Sequence, residues 1–423
     1  RTNNFPRSIG NRIGANPKEA IYSSIGGDTP QRLVNEFAEK LAQGTCEMVL
    51  IAGGEALANA KAAKKQKVRL DWSEKINGQL EERRASSGRL GTATAAMHQL
   101  MLPMQYYGLM ENARRGAQDK DLATYSLEMG EEFSKLSQVA ANNPYSTFPT
   151  AYDADYLATP SKENPLIIAP YTKGLIAKDR VNQGAAVLLT TVGKAQELGI
   201  DESKWVYLHG YAATTETVLL ERPNIGQSKA MEQALLGAME NAGTTSDAIQ
   251  HFDIYSCFPV VVSEARNVLG IDKADSRPLT QTGGLPYFGG PGNNYTMHGI
   301  ASLVETLRKD RGSFGMAYGN GGWMSKHAVG IYSTTPTKGE WKAQDSKAYQ
   351  AKVNQQPTMT INSQPEGAAI LETYTVHYFK GFPVKAIIVG RLKSTNERFY
   401  ATTPMGVTDL LLSKKDWRNF GQK

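Results

Sequence analysis

Cys257 stands in the run Tyr255-Ser256-Cys257-Phe258-Pro259, just after a buried strand expected over Phe252–Ile254. Open α/β sheets place their sites at the carboxyl ends of strands, so a thiol there is placed as a nucleophile. The alternative is a small buried side chain without reactivity. Such a thiol needs a base. Six histidines occur, His98, His209, His251, His298, His327 and His377, and no two have helical or zinc-type spacing. No metal site is therefore expected. His298 opens a helix after a long glycine turn, and His327 follows Gly319–Lys326, so these two are the candidate general bases. Their alternative is a surface or hydrogen-bonded histidine. Three glycine-rich turns complete the set: Gly26-Gly27-Asp28, Gly283–Asn294 (GGLPYFGGPGNN) and Gly319–Gly322 (GNGG). Glycine lets backbone approach a ligand closely and aims amides at a developing oxyanion, or it simply makes a tight strand–helix turn. None of the three is a dinucleotide fingerprint or a Walker loop, so nucleotide hydrolysis is unsupported. Lys61, Lys64, Lys65 and Lys67 with Arg69 form a basic run suited to a phosphate-rich ligand or to a solvated helix face.

These residues must be positioned by alternating strands and helices. Ala20–Ile25 reads as a short strand. Asp28 or Thr29 caps a helix with Pro30 in its first turn, and Leu33, Val34, Phe37, Ala38 and Leu41 share one face before Gly44 stops it. Met48–Ala52 is apolar on both faces, the pattern of a buried parallel strand, so residues 20–54 read as a βαβ unit. Residues 55–182 are rich in Ala, Lys, Glu, Met and Gln, with helical periods at Gly88–Leu102 and Leu122–Ala141. Strand character returns at Ala185–Val192, Val206–Leu208 and Phe252–Ile254, and at Gly315–Tyr318 and Ala328–Tyr332. Helices are expected over Ser228–Ala242, Val260–Leu269 and Ile300–Lys309. The polar stretch Ser333–Gln356 reads as a linker. From Thr358 the pattern is β: Ile370–Tyr378, Pro383–Leu392 and Arg398–Thr402.

With 423 residues the chain exceeds one ordinary domain, and 40% hydrophobic with 21% charged residues places it among globular proteins. Its apolar runs are too short to cross a membrane. Two cysteines, Cys46 and Cys257, exclude a disulfide scaffold and point to the cytoplasm, and Cys46 reads as structural. The excess of 47 Lys and Arg over 41 Asp and Glu is scattered, so no nucleic-acid partner is expected. Arg1 is not a start methionine, and the polar Arg1–Ala15 carries no signal-peptide pattern.

The order of parts is specific. A strand–turn–helix–strand unit ending Val49-Leu50-Ile51-Ala52-Gly53-Gly54-Glu55 precedes a helical insertion. Pro170-Tyr171-Thr172-Lys173 and Arg180–Gly199 follow, then a second α/β half with Gly283-Gly284-Leu285 and Gly289-Gly290-Pro291. Over roughly residues 5–335 this resembles the thiolase superfamily, nearest the sterol-carrier-protein-type thiolases and thiolase-like proteins. The resemblance implies an α/β protein with a layered αβαβα fold. Residues 1–54 with 183–200 would be the remainder of its N-terminal half, its first strands preceding Arg1. Residues 55–182 would be a helical loop domain that helps bind coenzyme A, and 201–335 the second half. Residues 336–423 would be a β-rich module; Gly367–Leu392 with Arg398–Ala401 resembles the OB-like modules associated with some thiolase-like proteins.

The resemblance also shows what is missing. The family's nucleophilic cysteine falls at Gly27 or Asp28, and neither is a thiol. Its Asn-Glu-Ala-Phe or His-Asp-Cys-Phe loop corresponds to Tyr255-Ser256-Cys257-Phe258. Its Gly-His-Pro loop reads Gly289-Gly290-Pro291, and its Cys-x-Gly loop reads Tyr318-Gly319-Asn320-Gly321-Gly322. Nucleophile, activating histidine and second cysteine are lost together, so condensation through an acyl-cysteine is not expected to run as usual. The expected function is that of an acyl-CoA-binding relative of acetyl-CoA acetyltransferases. Any acyltransferase chemistry would be carried by Cys257 with His298 or His327. The alternatives are a non-catalytic CoA-binding or scaffolding subunit, and enolate chemistry without a covalent intermediate. Coenzyme A or an acyl-CoA is the expected ligand, with no covalently bound cofactor. It would lie against Gly27, Asp28, Tyr255, Gly283, Gly284, Gly289, Gly290, Asn320 and Gly321. A homo-oligomer, or a partner chain supplying the N-terminal strands, is the expected assembly.

Overall fold

In the structure, a computed structural model, residues 2–84, 91–339 and 341–403 are described. A four-stranded sheet forms the core of residues 201–335, in the order Tyr207–Thr215, Lys326–Ser333, Phe314–Gly321, Ile249–Ile254. The first three strands alternate antiparallel, and Ile249–Ile254 runs parallel to Phe314–Gly321. Nearly every residue of Phe314–Gly321 and Lys326–Ser333 is buried, because helices cover both faces. Helices Lys229–Ala242 and Pro259–Leu269 form the outer layer. On the inner face lie Thr29–Ala42 and Tyr295–Lys309. Their Val34, Phe37, Met297, Ile300 and Leu303 join Ala317 and Tyr332 of the large sheet and Ile51 of a second sheet in one apolar cluster.

That second sheet differs from the sequence expectation. Met48–Ala56 pairs antiparallel with Asn182–Thr190, and Ile21–Tyr22 pairs with Glu81–Glu82, so residues 20–54 do not close as a βαβ unit. The apolar run at 48–52 fits a strand buried on both faces, yet only alternate residues face the helices. Met48 and Leu50 with the cross-strand Leu188 are 42%, 43% and 53% exposed on the outer face.

Residues 55–182 contain helices Leu57–Lys65, Ala93–Met97, Pro103–Ala117, Leu122–Ala141 and Ala154–Ala158. Of the helix expected over Gly88–Leu102, residues 88–90 lie outside the described residues, and only Ala93–Met97 is helical. Pro103 begins a new helix after Leu102, its ring fitting the first turn. Residues 55–182 also supply strands Leu166–Ile168 and Tyr171–Thr172 to a five-stranded sheet with Ala369–Phe379, Phe382–Leu392 and Arg398–Thr402. This sheet lies on the Pro103–Ala117 helix. A Cβ on Gly108 would meet the Thr375 hydroxyl at 2.5 Å, so the absent side chain sets how closely strand and helix approach. Asn112 donates to the Ala169 and Tyr374 carbonyls, tying the layers at polar points. Ser333–Gln356 is more than a linker. It contains the helix Ser346–Asn354, whose Tyr349 ring lies where a Cβ on Gly237 would fall and donates to Asn241 at 3.1 Å. Residues 404–423, the end of the expected β-rich module, lie outside the described residues. No helix among the described residues is long and apolar enough to cross a membrane.

Candidate functional site

The loop Tyr255-Ser256-Cys257-Phe258 leaves the end of Ile249–Ile254 and enters Pro259–Leu269 at Phe258. The Tyr255 amide bonds to the Tyr318 carbonyl at 3.1 Å, holding the loop to the end of Phe314–Gly321. The Gly26–Asp28 turn meets both. A Cβ on Gly27 would lie 2.5 Å from the Tyr255 hydroxyl and 2.5 Å from the Asn320 carbonyl. The position where the resemblance puts a nucleophile is therefore filled by Tyr255. Asp28 is almost fully buried. It pairs with Arg32 through one oxygen, while the other has no hydrogen-bond partner among the described residues and lies where a Cβ on Gly321 would fall.

Cys257 is buried behind this contact. Asn320 Nδ2 lies 3.7 Å from its sulfur and donates to the Tyr107 hydroxyl at 2.9 Å. Met324 donates its amide to the same hydroxyl at 3.0 Å, and the Tyr107 ring stacks on Phe258 with centroids 4.4 Å apart. Burial pushes the Cys257 thiol up to about 12, against the hydrogen bonds of Tyr107 and Asn320, which lower it. A thiol in that state carries almost no thiolate at neutral pH and is a poor nucleophile.

Neither candidate base is paired with the sulfur. His327 bonds through Nδ1 to the Tyr318 hydroxyl at 2.9 Å and through Nε2 to Ser228 at 3.2 Å. Burial, then the charges of Arg222 and Arg32, hold it well below its usual value. His298 lies against Phe288, its Nε2 without a hydrogen-bond partner among the described residues, and burial lowers it to about 4. The structure gathers Gly27, Tyr255, Cys257 and Asn320, with Asp28 and Gly321 adjoining, but forms no thiol–imidazole pair from Cys257 and these histidines. The physical reason is that both His327 ring nitrogens already have hydroxyl partners, His298 lies against Phe288, and Cys257 is enclosed by Tyr107 and Asn320.

The long glycine turn is also packed against protein. A Cβ on Gly283 would strike Ala140, one on Gly284 would meet Ser256, and one on Gly289 would meet Val181 and Gln183. The Gly290 amide donates to the Lys178 carbonyl at 2.8 Å. The neighbouring Ala177 amide donates to the Cys257 carbonyl at 3.1 Å. Residues 177 and 178 thus back the closed centre on one side and face a groove of about 580 Å³ on the other.

That groove is lined by more cations than carboxylates. Helix Leu57–Lys65 presents Lys61 and Lys65, one turn apart, and the facing wall presents Lys173, Lys178 and Arg180; Asp179 is the one acidic residue in the lining. Two members of the basic run at 61–69 therefore line it. Lys173, Lys178 and Arg180 escaped the sequence reading because they sit singly, without a cluster or period to mark them. Tyr107 escaped it because its partners are about 150 to 217 residues away in sequence. Among the described residues no group of three or more His, Cys, Asp or Glu gathers to hold a metal ion.

Residues 349–418 match the family described as thiolase-like protein type 1 additional C-terminal domain. Curated proteins gave no sequence match. Among solved structures, a monomeric SCP2-thiolase-like protein type 1 from Mycobacterium smegmatis is 40% identical, with 97% of this chain and 83% of that chain covered and a TM-score of 0.85. An acetyl-CoA acetyltransferase from Syntrophomonas wolfei, at 14% identity, aligns over 78% of this chain and 84% of its own with a TM-score of 0.53. Human mitochondrial 3-ketoacyl-CoA thiolase in complex with CoA, at 16% identity, aligns over 78% of this chain and 82% of its own with a TM-score of 0.51. The two distant enzymes share the fold, and the close relative shares both fold and sequence over nearly the whole chain. The chain belongs to the SCP2-thiolase-like proteins of type 1.

Proposed function

We propose that this protein binds coenzyme A and its short thioesters in the groove between helix Leu57–Lys65 and residues 173–180, and that it does so without acyl-cysteine chemistry. The observation that carries the reading is the groove itself. It is lined by five cations against one carboxylate, and its floor is hydrogen-bonded to the Cys257 loop and to Gly290. Coenzyme A presents several phosphate charges at one end and a thin pantetheine arm at the other. Lys61, Lys65, Lys173 and Arg180 suit the first, and the apolar Ala58, Ala62, Ile167 and Ile176 suit the second, with Lys178 at the thioester end. A fold relative, the human thiolase, has been solved with CoA, which supports the ligand class. In this reading the glycine turns at Gly283, Gly284, Gly289 and Gly290, with Gly27, Asp28, Tyr255, Asn320 and Gly321, shape the wall behind the thioester end.

Between catalytic acyl transfer and non-catalytic binding, the closed centre favours binding. The buried thiol at about 12 and Tyr255 against Gly27 leave no activated nucleophile there. Calorimetric titration with CoA and with pantetheine tests the proposal. The expected result is binding of CoA, with pantetheine much weaker for want of the phosphates. No heat and no thermal stabilisation at millimolar CoA would overturn it. Thiolysis of acetoacetyl-CoA is expected to stay at background; turnover on the order of 10 per second, an ordinary enzyme rate, would refute the non-catalytic part.

A further inference from the structure

We propose that Lys178 is an acylation site, at which the side-chain amine attacks the thioester carbonyl of a short acyl-CoA held in the groove. This rests on the reading of the groove as a CoA site. The amine's carbon–nitrogen bond forms as the carbon–sulfur bond breaks, the electron pair leaves on sulfur as the CoA thiolate, and the nitrogen's proton passes to it. The products are an Nε-acyl-lysine and free CoA, and no further reactant is needed.

The geometry singles out this lysine among those in the groove. Its backbone is fixed by hydrogen bonds to Leu285 and Gly290, so its stem starts from a rigid point next to the Cys257 loop. Its Nζ lies 4.9 Å from the centre of the Phe148 ring and 5.6 Å from that of Tyr287. Aromatic faces hold the amine where a carboxylate would otherwise pair with it; among the described residues none does. The charged and titratable groups of the groove are Lys61 and Lys65 on one wall and Lys173, Asp179 and Arg180 on the other, with Tyr287 beneath. Burial lowers the Lys178 ammonium to about 8, and Lys173 adds repulsion in the same sense. Desolvation beside a second cation is one of the ways a lysine becomes a nucleophile. Lys61 and Lys65 lie on a helix with no buried residue. Acylation removes one positive charge from the groove, so the modified protein binds CoA phosphates less tightly.

The test is site-resolved mass spectrometry of the full chain incubated with acetyl-CoA, followed over time from pH 6.5 to 9.5. Acetyl-Lys178 is expected to appear on the order of tenfold faster than acetylation at Lys61 or Lys65. Its rate is expected to rise with pH through a midpoint near the Lys178 value of about 8 and to fall when free CoA is added. In Lys178→Arg the fast adduct is expected to vanish. Equal rates at exposed lysines, or the same fast adduct in Lys178→Arg, would overturn the proposal. If wild-type protein binds CoA but Lys178 stays unmodified, the acylation proposal fails and the binding reading stands. If Lys178 is acetylated but free CoA does not compete, the groove reading fails and the proposal falls with it.

Discussion

The centre around Cys257 and the groove at Lys178 lie on either side of one hydrogen bond, that from the Ala177 amide to the Cys257 carbonyl. They differ in almost every other respect. The centre is closed: Tyr107, Tyr255, Cys257 and Asn320 are all buried, the Tyr107 hydroxyl accepts from Asn320 and Met324, and Asn320 Oδ1 has no hydrogen-bond partner among the described residues. The groove is open, and its cations have few carboxylates to pair with. The resemblance to thiolases directs attention to the first region, where the family does its chemistry. In the proposed reading, ligand binding moves to the second. A family's fold can be kept while its reactive centre is packed shut, since packing tyrosines into a catalytic pocket stabilises the core that frames it.

Changes in the closed centre should therefore act on stability, and the largest effect is expected at Gly27. A methyl group there meets the Tyr255 hydroxyl and the Asn320 carbonyl at 2.5 Å, and a backbone atom cannot rotate away. Gly27→Ala is expected to destabilise the fold by about 3 kcal/mol, at the upper end for overpacking, measured by denaturant unfolding. Gly27→Cys should do the same without gaining thiolysis. A stable Gly27→Cys protein that cleaved acetoacetyl-CoA would erase the contrast between the two regions.

A somewhat smaller and pH-dependent effect is expected at Glu111, behind the centre. Its carboxylate is fully buried and accepts hydrogen bonds from the Tyr125 and Tyr171 hydroxyls at 2.5 and 2.8 Å. Burial raises it from 4.5 to about 7, more than the two hydroxyls lower it. A raised carboxylate binds its proton more tightly in the folded than in the unfolded chain. Its contribution is thus complete below 4.5 and is lost as pH climbs towards 7, by roughly 2–3 kcal/mol. The difference in unfolding free energy between wild type and Glu111→Gln should change across that window and level off above it. A constant difference from pH 4.5 to 8 would contradict the assignment.

Glu111 also shows where sequence reading stops. Helix Thr29–Ala42 was legible because Leu33, Val34, Phe37 and Leu41 recur at helical spacing above a polar face. Helix Pro103–Ala117 was not, because Gln105 through Asn112 are all buried. A helix enclosed on every side has no apolar stripe to find. The strands of the second half were legible from their apolar runs, but pairing partners were not: Met48–Ala56 joins Asn182–Thr190 across the whole insertion. The glycine turns were found, whereas what they pack against was not. Gly27 reads as a space for a ligand until Tyr255, 228 residues later, is seen to fill it.

Cys257 gives a sharper and smaller test. Cys257→Ala removes one buried sulfur and should cost about 1 kcal/mol. Because burial pushes the thiol to about 12, alkylation of the native protein at pH 8 should modify the partly exposed Cys46 and leave Cys257 untouched until denaturant is added. Labelling of Cys257 in the native state as fast as in denaturant would show that the centre opens to solvent.

The smallest effect on stability, and the clearest on binding, is expected in the groove. Lys61 and Lys65 sit on a helix none of whose residues is buried, and neither belongs to an ion pair among the described residues. Replacing both with alanine removes no packing and no hydrogen-bond partner, so unfolding free energy should stay within about 0.5 kcal/mol of wild type. A phosphate-bearing ligand would notice the change. Each exposed cation facing a phosphate contributes up to about 1 kcal/mol, so CoA affinity should weaken by roughly five- to thirtyfold. Salt provides the control. Between 0.1 and 1 M the screening length falls from about 10 to about 3 Å, which should weaken CoA binding to wild type more than to Lys61→Ala/Lys65→Ala. If both proteins bound CoA equally at low salt, with the same salt dependence, these lysines would be solvated surface and the groove would lose its claim to the ligand.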